Sequence, residues 1–112
     1  MEKVKRPWGW YENLLEDSGY KVKRLYIDSS QSISLQYHNF RNEHWVVVSG
    51  DGIVEIDGVS KNIFSGDYIF VPLNSKHRII GGKCGIIIVE VQMGEVCEET
   101  DIVRIEDQYG RI

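Results

Sequence analysis

Alanine is absent from this chain of 112 residues, and cysteine, proline and histidine are scarce. Because alanine is the best helix former, its absence argues against a helical domain. Abundant valine and isoleucine, together with 11 glycines, are typical of a mostly-β protein. The two cysteines, Cys84 and Cys97, do not make a disulfide framework and indicate a reducing, cytoplasmic setting.

Long apolar runs and an excess of basic charge are also missing. No stretch approaches the roughly 20 apolar residues of a membrane helix, and the charged residues 1–6 are not followed by the apolar run of a secretory signal. The net charge of −4 speaks against nucleic acid, whose phosphates need a basic face. We therefore expect one domain over residues 1–112, with neither a membrane nor a nucleic acid as partner.

Short runs of β-branched residues separated by turn residues predict an antiparallel sandwich or barrel of about eight strands. Turns are predicted at residues 49–52 and 81–82, and Asp57-Gly58 predicts a tight hairpin. Residues 1–19 are expected to form an N-terminal arm, and residues 100–112 to close the barrel or dock as a short helix. The predicted strands cover residues 21–27, 32–38, 44–49, 52–56, 59–64, 68–71, 77–80 and 85–91.

Three polar side chains are predicted to meet in this sheet. Gln36 and His38 are two apart on a strand and therefore share a face, and Glu43 follows beyond a short turn. The pattern resembles the first motif of the cupin family, which runs His-x-His, Glu and Gly; here Gln36 stands at the first histidine and Gly50 ends the motif. The resemblance implies an all-β cupin fold, the double-stranded β-helix, which is a small antiparallel jelly-roll barrel.

A second cupin motif follows further along the chain. Gly66, Pro72 and His77 have the family's spacing, whereas Asn74 replaces a glycine and Gly81 replaces an asparagine. The resemblance places the family's metal ligands at Gln36, His38, Glu43 and His77. Two imidazoles and a carboxylate suit a divalent transition metal with open positions, and we expect Zn, Mn, Co or Fe. The alternative is that the histidines are ordinary polar residues of a sheet face.

A closer resemblance covers nearly the whole chain. Residues 34–50, with residues 6–11 upstream and 101–111 downstream, resemble the C-terminal domain of type II mannose-6-phosphate isomerases. In that family the domain is often fused to a mannose-1-phosphate guanylyltransferase. Because the sequence contains no Gly-rich phosphate loop, we expect a free-standing domain that does not transfer nucleotides.

This resemblance implies an enzyme, a metal-dependent isomerase that interconverts mannose 6-phosphate and fructose 6-phosphate through an enediol. Such chemistry needs a Lewis acid, a base and a cationic clamp for the phosphate. Arg41 and Arg78 are the predicted clamp, since each lies near a proposed ligand. Glu90 is the predicted base, because a carboxylate inside an apolar strand would have a raised pKa if it faced the interior. A solvated charge is the alternative for each arginine, and a structural ion pair for Glu90.

Two other functions stay open at this stage. One is a non-catalytic carbohydrate-binding or regulatory module, which the departure at Gly81 favours. The other is a non-haem iron dioxygenase, since two histidines and a carboxylate also suit Fe(II). In the favoured interpretation the partner is a small-molecule sugar phosphate, and we expect a homodimer because small sheets often hide their edges by pairing.

Overall fold

Nine β-strands and no helix form the part of the chain that the computed structural model describes, residues 2–112. Position 1, where the expected domain and arm begin, lies outside the described residues. Within them, no helix is long and apolar enough to cross a membrane. The strands are β1 (Val4–Arg6), β2 (Gly9–Asp17), β3 (Tyr20–Ile27), β4 (Leu35–Tyr37), β5 (Arg41–Ile56), β6 (Val59–Phe64), β7 (Tyr68–Val71), β8 (His77–Gly94) and β9 (Val103–Glu106).

All strand pairs are antiparallel, which confirms the predicted all-β class. The order β1-β2-β3-β8-β4-β9 forms one path, and β5 pairs with β6, β7 and β8. The longest partners are β5 and β8, which stay paired from Arg41 opposite Gly94 to Ile56 opposite His77. Because β8 also pairs with β3 and β4, the two long strands hold the two halves of the curled sheet around one interior.

The turns predicted at residues 49–52 and 81–82 are wrong, because β5 and β8 run through them without a break. The ladder between these strands shifts register between Val47 and Ser49 and again between Gly50 and Gly52. Gly50 has a φ of 80°, and a Cβ there would collide with the carbonyl oxygen of Gly85. The glycines therefore bend the strands through bulges and let the two backbones approach closely.

The hairpin at Asp57-Gly58 is confirmed. These residues have φ values of 48° and 83° and join β5 to β6, where Ile56 lies opposite Val59. A two-residue turn with both central φ values positive matches the twist of the flanking strands, and Asp-Gly adopts it at low cost. Strand β6 and strand β7 have the predicted bounds.

Both chain ends join the sheet as strands. The expected N-terminal arm is part of the sheet, since β1 pairs with β2 and β2 pairs with β3. Trp8 and Tyr11 of this segment are buried in the core, which gives the pairing an apolar face. The C-terminal segment forms a strand rather than a short helix, because β9 pairs with β4 at the edge of the sheet.

Candidate metal centre

Strand β5 sorts its side chains by simple alternation, as its sequence predicts. Glu43 faces the interior and is 2% exposed, and Arg41 and Trp45 share its face. His44 points to the opposite side, where its Nδ1 lies 2.6 Å from the Tyr68 hydroxyl. Two consecutive residues of β5 therefore have different surroundings: the Glu43 carboxylate is buried in the interior, and His44 lies on the outer surface.

Two histidines from other elements reach the same carboxylate. His38 follows β4, and His77 begins β8 directly opposite Gln36 of β4. The His38 Nε2 lies 3.2 Å from Glu43 Oε2, and the His77 Nε2 lies 3.8 Å from Glu43 Oε1. Ligand atoms about 2.1 Å from one ion stand roughly 3.0–3.4 Å apart in tetrahedral or octahedral geometry. The three side chains, whose ligand atoms all lie within 4.8 Å of one another, therefore fit a shared metal ion after small adjustments.

Both imidazoles present the nitrogen that a metal requires. The Nδ1 of His38 lies 2.6 Å from the carbonyl oxygen of Asp101, and that of His77 lies 2.9 Å from the carbonyl oxygen of Ser75. Because a carbonyl oxygen only accepts, each Nδ1 carries the proton and donates it. In the neutral ring Nε2 then holds a lone pair, which is the usual arrangement of a metal-binding histidine. Burial lowers the pKa of His38, against the opposing pull of the Glu43 charge, and so favours this neutral form.

Glu43 is held as a charged carboxylate by its neighbours. Burial alone would raise its pKa, but His38, His77 and Arg41 together lower the pKa of Glu43 to about 2. The Nε of Arg41 donates to Oε2 at 2.9 Å, and the indole Nε1 of Trp45 donates to Oε1 at 3.1 Å. These donors fix the orientation of the carboxylate as well as its charge.

Gln36 lies beside this group. Its amide nitrogen donates to the Ser34 hydroxyl at 2.9 Å, so the carbonyl oxygen Oε1 is the atom left to face a metal. Its backbone is the register partner of His77, and its side chain lines the same cavity as Glu43 and His77. Its role as fourth ligand stays a prediction.

Glu90 faces the interior, as its strand position suggested. It is 4% exposed and accepts a hydrogen bond of 2.6 Å from the Gln92 amide. Burial, reinforced by the negative charge of Glu43, raises the pKa of Glu90 to about 8, although Lys23 and Arg41 oppose the shift. Glu90 therefore holds a proton near neutral pH; its role as a base stays a prediction.

The two predicted clamp arginines do not meet. Arg78 follows His77 and so points out of the cavity, where it pairs with Glu55 at 3.1 Å and Glu106 at 3.5 Å. Arg41 is buried, and besides Glu43 it donates to the Glu98 carbonyl oxygen at 2.9 Å. The alternation of β8 therefore places Arg78 outside the cavity, whereas Arg41 lines it, and the role of Arg41 as a phosphate clamp stays a prediction.

The candidate ligands line a cavity of about 350 Å³, within the range of small-molecule sites. Its walls combine aliphatic and aromatic side chains with charged ones. Three arginines that the sequence analysis did not single out also line it: Arg6, Arg104 and Arg111. The signal that could have found them is their position in residues 6–11 and 101–111, the outer segments of the family resemblance.

Comparison with known structures supports the fold. The cupin domain of Cnp3 from Schizosaccharomyces pombe superposes with a TM-score of 0.78 at 8% identity, covering 84% of this chain and 69% of that one. At this identity the match establishes the cupin fold and nothing about chemistry.

Comparison with curated sequences finds longer proteins. The mannose-1-phosphate guanylyltransferase ManC of Salmonella typhimurium is 40% identical over 110 residues, which is 97% of this chain and 23% of ManC. The alginate biosynthesis protein AlgA of Pseudomonas aeruginosa is 38% identical over 109 residues, which is 96% of this chain and 23% of AlgA. This chain therefore spans less than a quarter of the length of either relative.

These relatives overturn the predicted activity. We expected an isomerase for mannose 6-phosphate and fructose 6-phosphate, but the proteins that share this domain are named for guanylyl transfer and for polysaccharide biosynthesis. The ManC relative is an enzyme by name, so a link between this domain and an enzyme is supported. The assignment as an isomerase is wrong. The cupin resemblance supplied a fold and a ligand set, and neither of these fixes a reaction.

The family itself is the one predicted from the motifs. A family model described as "Mannose-6-phosphate isomerase C-terminal" matches residues 1–107, nearly the whole chain. That description classifies the domain, whereas the curated names describe the proteins that carry it. With its cupin fold and its buried His-Glu-His group, this chain belongs to the mannose-6-phosphate isomerase C-terminal domain family.

Proposed function

We propose that this domain binds a mannose phosphate at a divalent metal centre held by His38, Glu43 and His77, with Gln36 as a fourth ligand. One observation carries the proposal. Two imidazoles, each donating its Nδ1–H to a backbone carbonyl oxygen, direct Nε2 toward the same buried, ionised carboxylate beside a cavity of about 350 Å³. The ion pair with Arg41 offsets the charge of Glu43, and a divalent ion between the carboxylate and the two Nε2 atoms would use all three ligand atoms.

The chain's own side chains prepare this centre. Arg41 and Trp45 hold the Glu43 carboxylate in place, and backbone carbonyl oxygens fix both imidazole rings. A divalent ion bound there would offer open coordination positions to hydroxyl or carbonyl oxygens of a sugar. The protonated Glu90 would donate a hydrogen bond inside the same cavity.

The cavity walls suit a sugar ring. Trp8, Tyr11 and Trp45 line it together with Ile79 and Ile88, and such apolar surfaces pack against the faces of a pyranose. The choice of mannose phosphate is supported by the relative named mannose-1-phosphate guanylyltransferase, which acts by name on that class of compound. We propose that the domain serves such an enzyme by binding the sugar phosphate, in the cytoplasm, as a carbohydrate-binding module.

Calorimetry on metal-stripped and reloaded protein tests the proposal. Separate samples carry Mn²⁺, Co²⁺, Zn²⁺ or, under anaerobic conditions, Fe²⁺, and each is titrated with mannose 1-phosphate and mannose 6-phosphate. We expect one ion per chain and sugar-phosphate binding that is strongest in a loaded sample. Equal binding by stripped and loaded protein, or no binding with any ion, would overturn the proposal.

The predicted homodimer stays a separate prediction. Val46, Val48 and Phe70 on the outer side of β5 and β7 are exposed apolar side chains of the kind that a second copy could cover. Light scattering on the purified chain decides its oligomeric state.

A further inference from the structure

Three guanidinium groups line one part of the cavity although they come from distant parts of the sequence. Arg6 ends β1, Arg104 lies on β9, and Arg111 follows β9 near the end of the chain. The pairing of β9 with β4 sets Arg104 opposite Gln36, the proposed fourth metal ligand. The arginine cluster, meaning these three residues, therefore adjoins the candidate metal centre.

The arginine cluster holds a buried donor without a partner. The Nε of Arg104 is shielded from solvent and has no hydrogen-bond partner among residues 2–112. Buried donors are almost always paired, and an unpaired charged donor is the most costly kind. A folded protein keeps an unpaired buried donor mainly where a bound ligand supplies the missing hydrogen-bond acceptor.

Charge compensation inside the cluster is also incomplete. Arg111 is paired, since its Nε and Nη2 donate to the Asp107 carboxylate at 2.7 and 2.9 Å. Neither Arg6 nor Arg104 forms an ion pair with a carboxylate in the described part of the chain. Within residues 2–112, Arg6 donates hydrogen bonds to the Lys5 carbonyl oxygen and the Tyr11 hydroxyl. The cluster thus has three positive charges against one negative charge.

The positive charges act on each other. Burial, reinforced by the charges of Arg111 and Arg6, lowers the pKa of Arg104. All three arginines line the same cavity, and an anion bound between them would relieve the repulsion among their charges. The excess of two positive charges matches the two negative charges of a phosphomonoester near neutral pH.

We infer that Arg6, Arg104 and Arg111 form the subsite that binds the phosphate of the ligand. Guanidinium groups bind phosphate through paired N–H donors, and Arg104 Nε is already shielded from water. The inference rests on the proposed function for the sugar part of the ligand, because the metal centre and the arginine cluster line the same cavity.

This subsite replaces the clamp that the sequence suggested. Arg41 donates through Nε to Glu43 and through Nη1 to the Glu98 carbonyl oxygen, and its Nη2 lies 3.4 Å from His38 Nε2. Arg78 is paired with Glu55 outside the cavity. The arginine cluster, by contrast, has free donor capacity where a ligand can reach it.

Titration of the full chain with inorganic phosphate, free of metal, tests the subsite directly. We expect saturable binding by calorimetry, and a loss of affinity on the order of tenfold or more in Arg104→Gln, because a charge-assisted hydrogen-bond pair is lost. Arg104→Lys keeps a positive charge but lacks the planar guanidinium, and its phosphate affinity should lie between those of the wild type and Arg104→Gln. The matched control is Arg24→Gln, since Arg24 pairs with Glu12 at 2.6 Å away from the cavity and should leave phosphate affinity unchanged.

The outcomes separate this inference from the proposed function. Unchanged phosphate affinity in both folded Arg104 variants, or no phosphate binding by the wild type, would overturn the subsite. If loaded protein binds mannose as tightly as mannose 6-phosphate, the metal proposal survives and the subsite fails. If phosphate binding depends on Arg104 in protein that retains no metal, the subsite stands without the metal proposal.

Discussion

The Nδ1 of His38 lies 2.6 Å from the carbonyl oxygen of Asp101, so the C-terminal segment orients a proposed metal ligand in the loop before β5. The Asp101 carboxylate also accepts hydrogen bonds from the backbone N–H groups of Asn39 and Phe40, at 2.9 and 3.0 Å. One residue therefore fixes both the imidazole ring and the turn that carries it. Replacing a residue that orients a metal-binding histidine typically costs roughly 10- to 100-fold in metal affinity.

Replacing Asp101 by Ala tests this connection. The change removes two hydrogen bonds to a charged acceptor, and we expect the free energy of unfolding to fall by about 1–3 kcal/mol. Metal affinity should also fall, by roughly 10- to 100-fold, because the loop that carries His38 loosens. Urea unfolding and competition with a chelator measure the two effects. Asp17→Ala is the control, since the Asp17 carboxylate is exposed and its partner in the described part of the chain is the backbone N–H of the adjacent Ser18. Equal effects of both substitutions would contradict the role of Asp101.

The metal ligands are tested by histidine substitutions. We expect the double variant His38→Ala with His77→Ala to lose metal, because only the Glu43 carboxylate and the Gln36 amide would be left. His44→Ala should retain one ion per chain, since His44 faces Tyr68 on the outer side of β5. Elemental analysis after dialysis, with circular dichroism to verify the fold, provides the measurement. Full metal occupancy in the double variant would refute the ligand assignment.

The pH dependence of stability should reveal Glu90. In metal-free protein, folding raises the pKa of Glu90 from 4.5 to about 8, so the folded state binds its proton more tightly than the unfolded state. The stability that this proton contributes is fully present below pH 4.5 and is lost as the pH rises through about 8. Compared with wild type, Glu90→Gln should therefore gain in relative stability as the pH rises across this window. A difference between the two proteins that is flat with pH would exclude the raised pKa.

A direct titration of the Glu90 carboxyl by ¹³C NMR adds a second readout. We expect a midpoint near 8 without metal, and a lower midpoint once a divalent ion offsets the charge of Glu43, which is one cause of the shift. No response of the midpoint to metal would separate Glu90 from the proposed centre.

Gly81 occupies the place where the cupin motif has asparagine, and its surroundings explain the departure. A Cβ there would collide with the carbonyl oxygens of Asp28 and Ile27. We expect Gly81→Asn to destabilise the fold by about 1–3 kcal/mol, as overpacking does. Gly19→Asn is the matched control, because no atom lies within 4 Å of its added Cβ and asparagine tolerates the positive φ there. A Gly81→Asn protein as stable as wild type would show that packing does not require this glycine.

The sequence by itself determined the features that depend on neighbouring residues. Alternation along β5 placed Glu43 inside and His44 outside, and Asp57-Gly58 specified its hairpin, because strand geometry has a period of two and tight turns need particular φ values. The glycines at positions 50 and 81 were ambiguous. Glycine allows a turn and a bulge equally well, and only the partner strand decides whether the chain reverses or continues.

Tertiary structure alone decided which distant charges meet. The sequence paired Arg41 with Arg78 because both lie near proposed ligands, yet burial commits Arg41 to Glu43 and the direction of β8 turns Arg78 outward. Arg6 and Arg104 lie in the outer segments of the family resemblance, but no local motif in the sequence indicates that their side chains meet. They line one cavity because β1 joins the sheet through β2 and β9 joins it through β4, and such pairings between distant segments are not encoded in any short stretch of sequence.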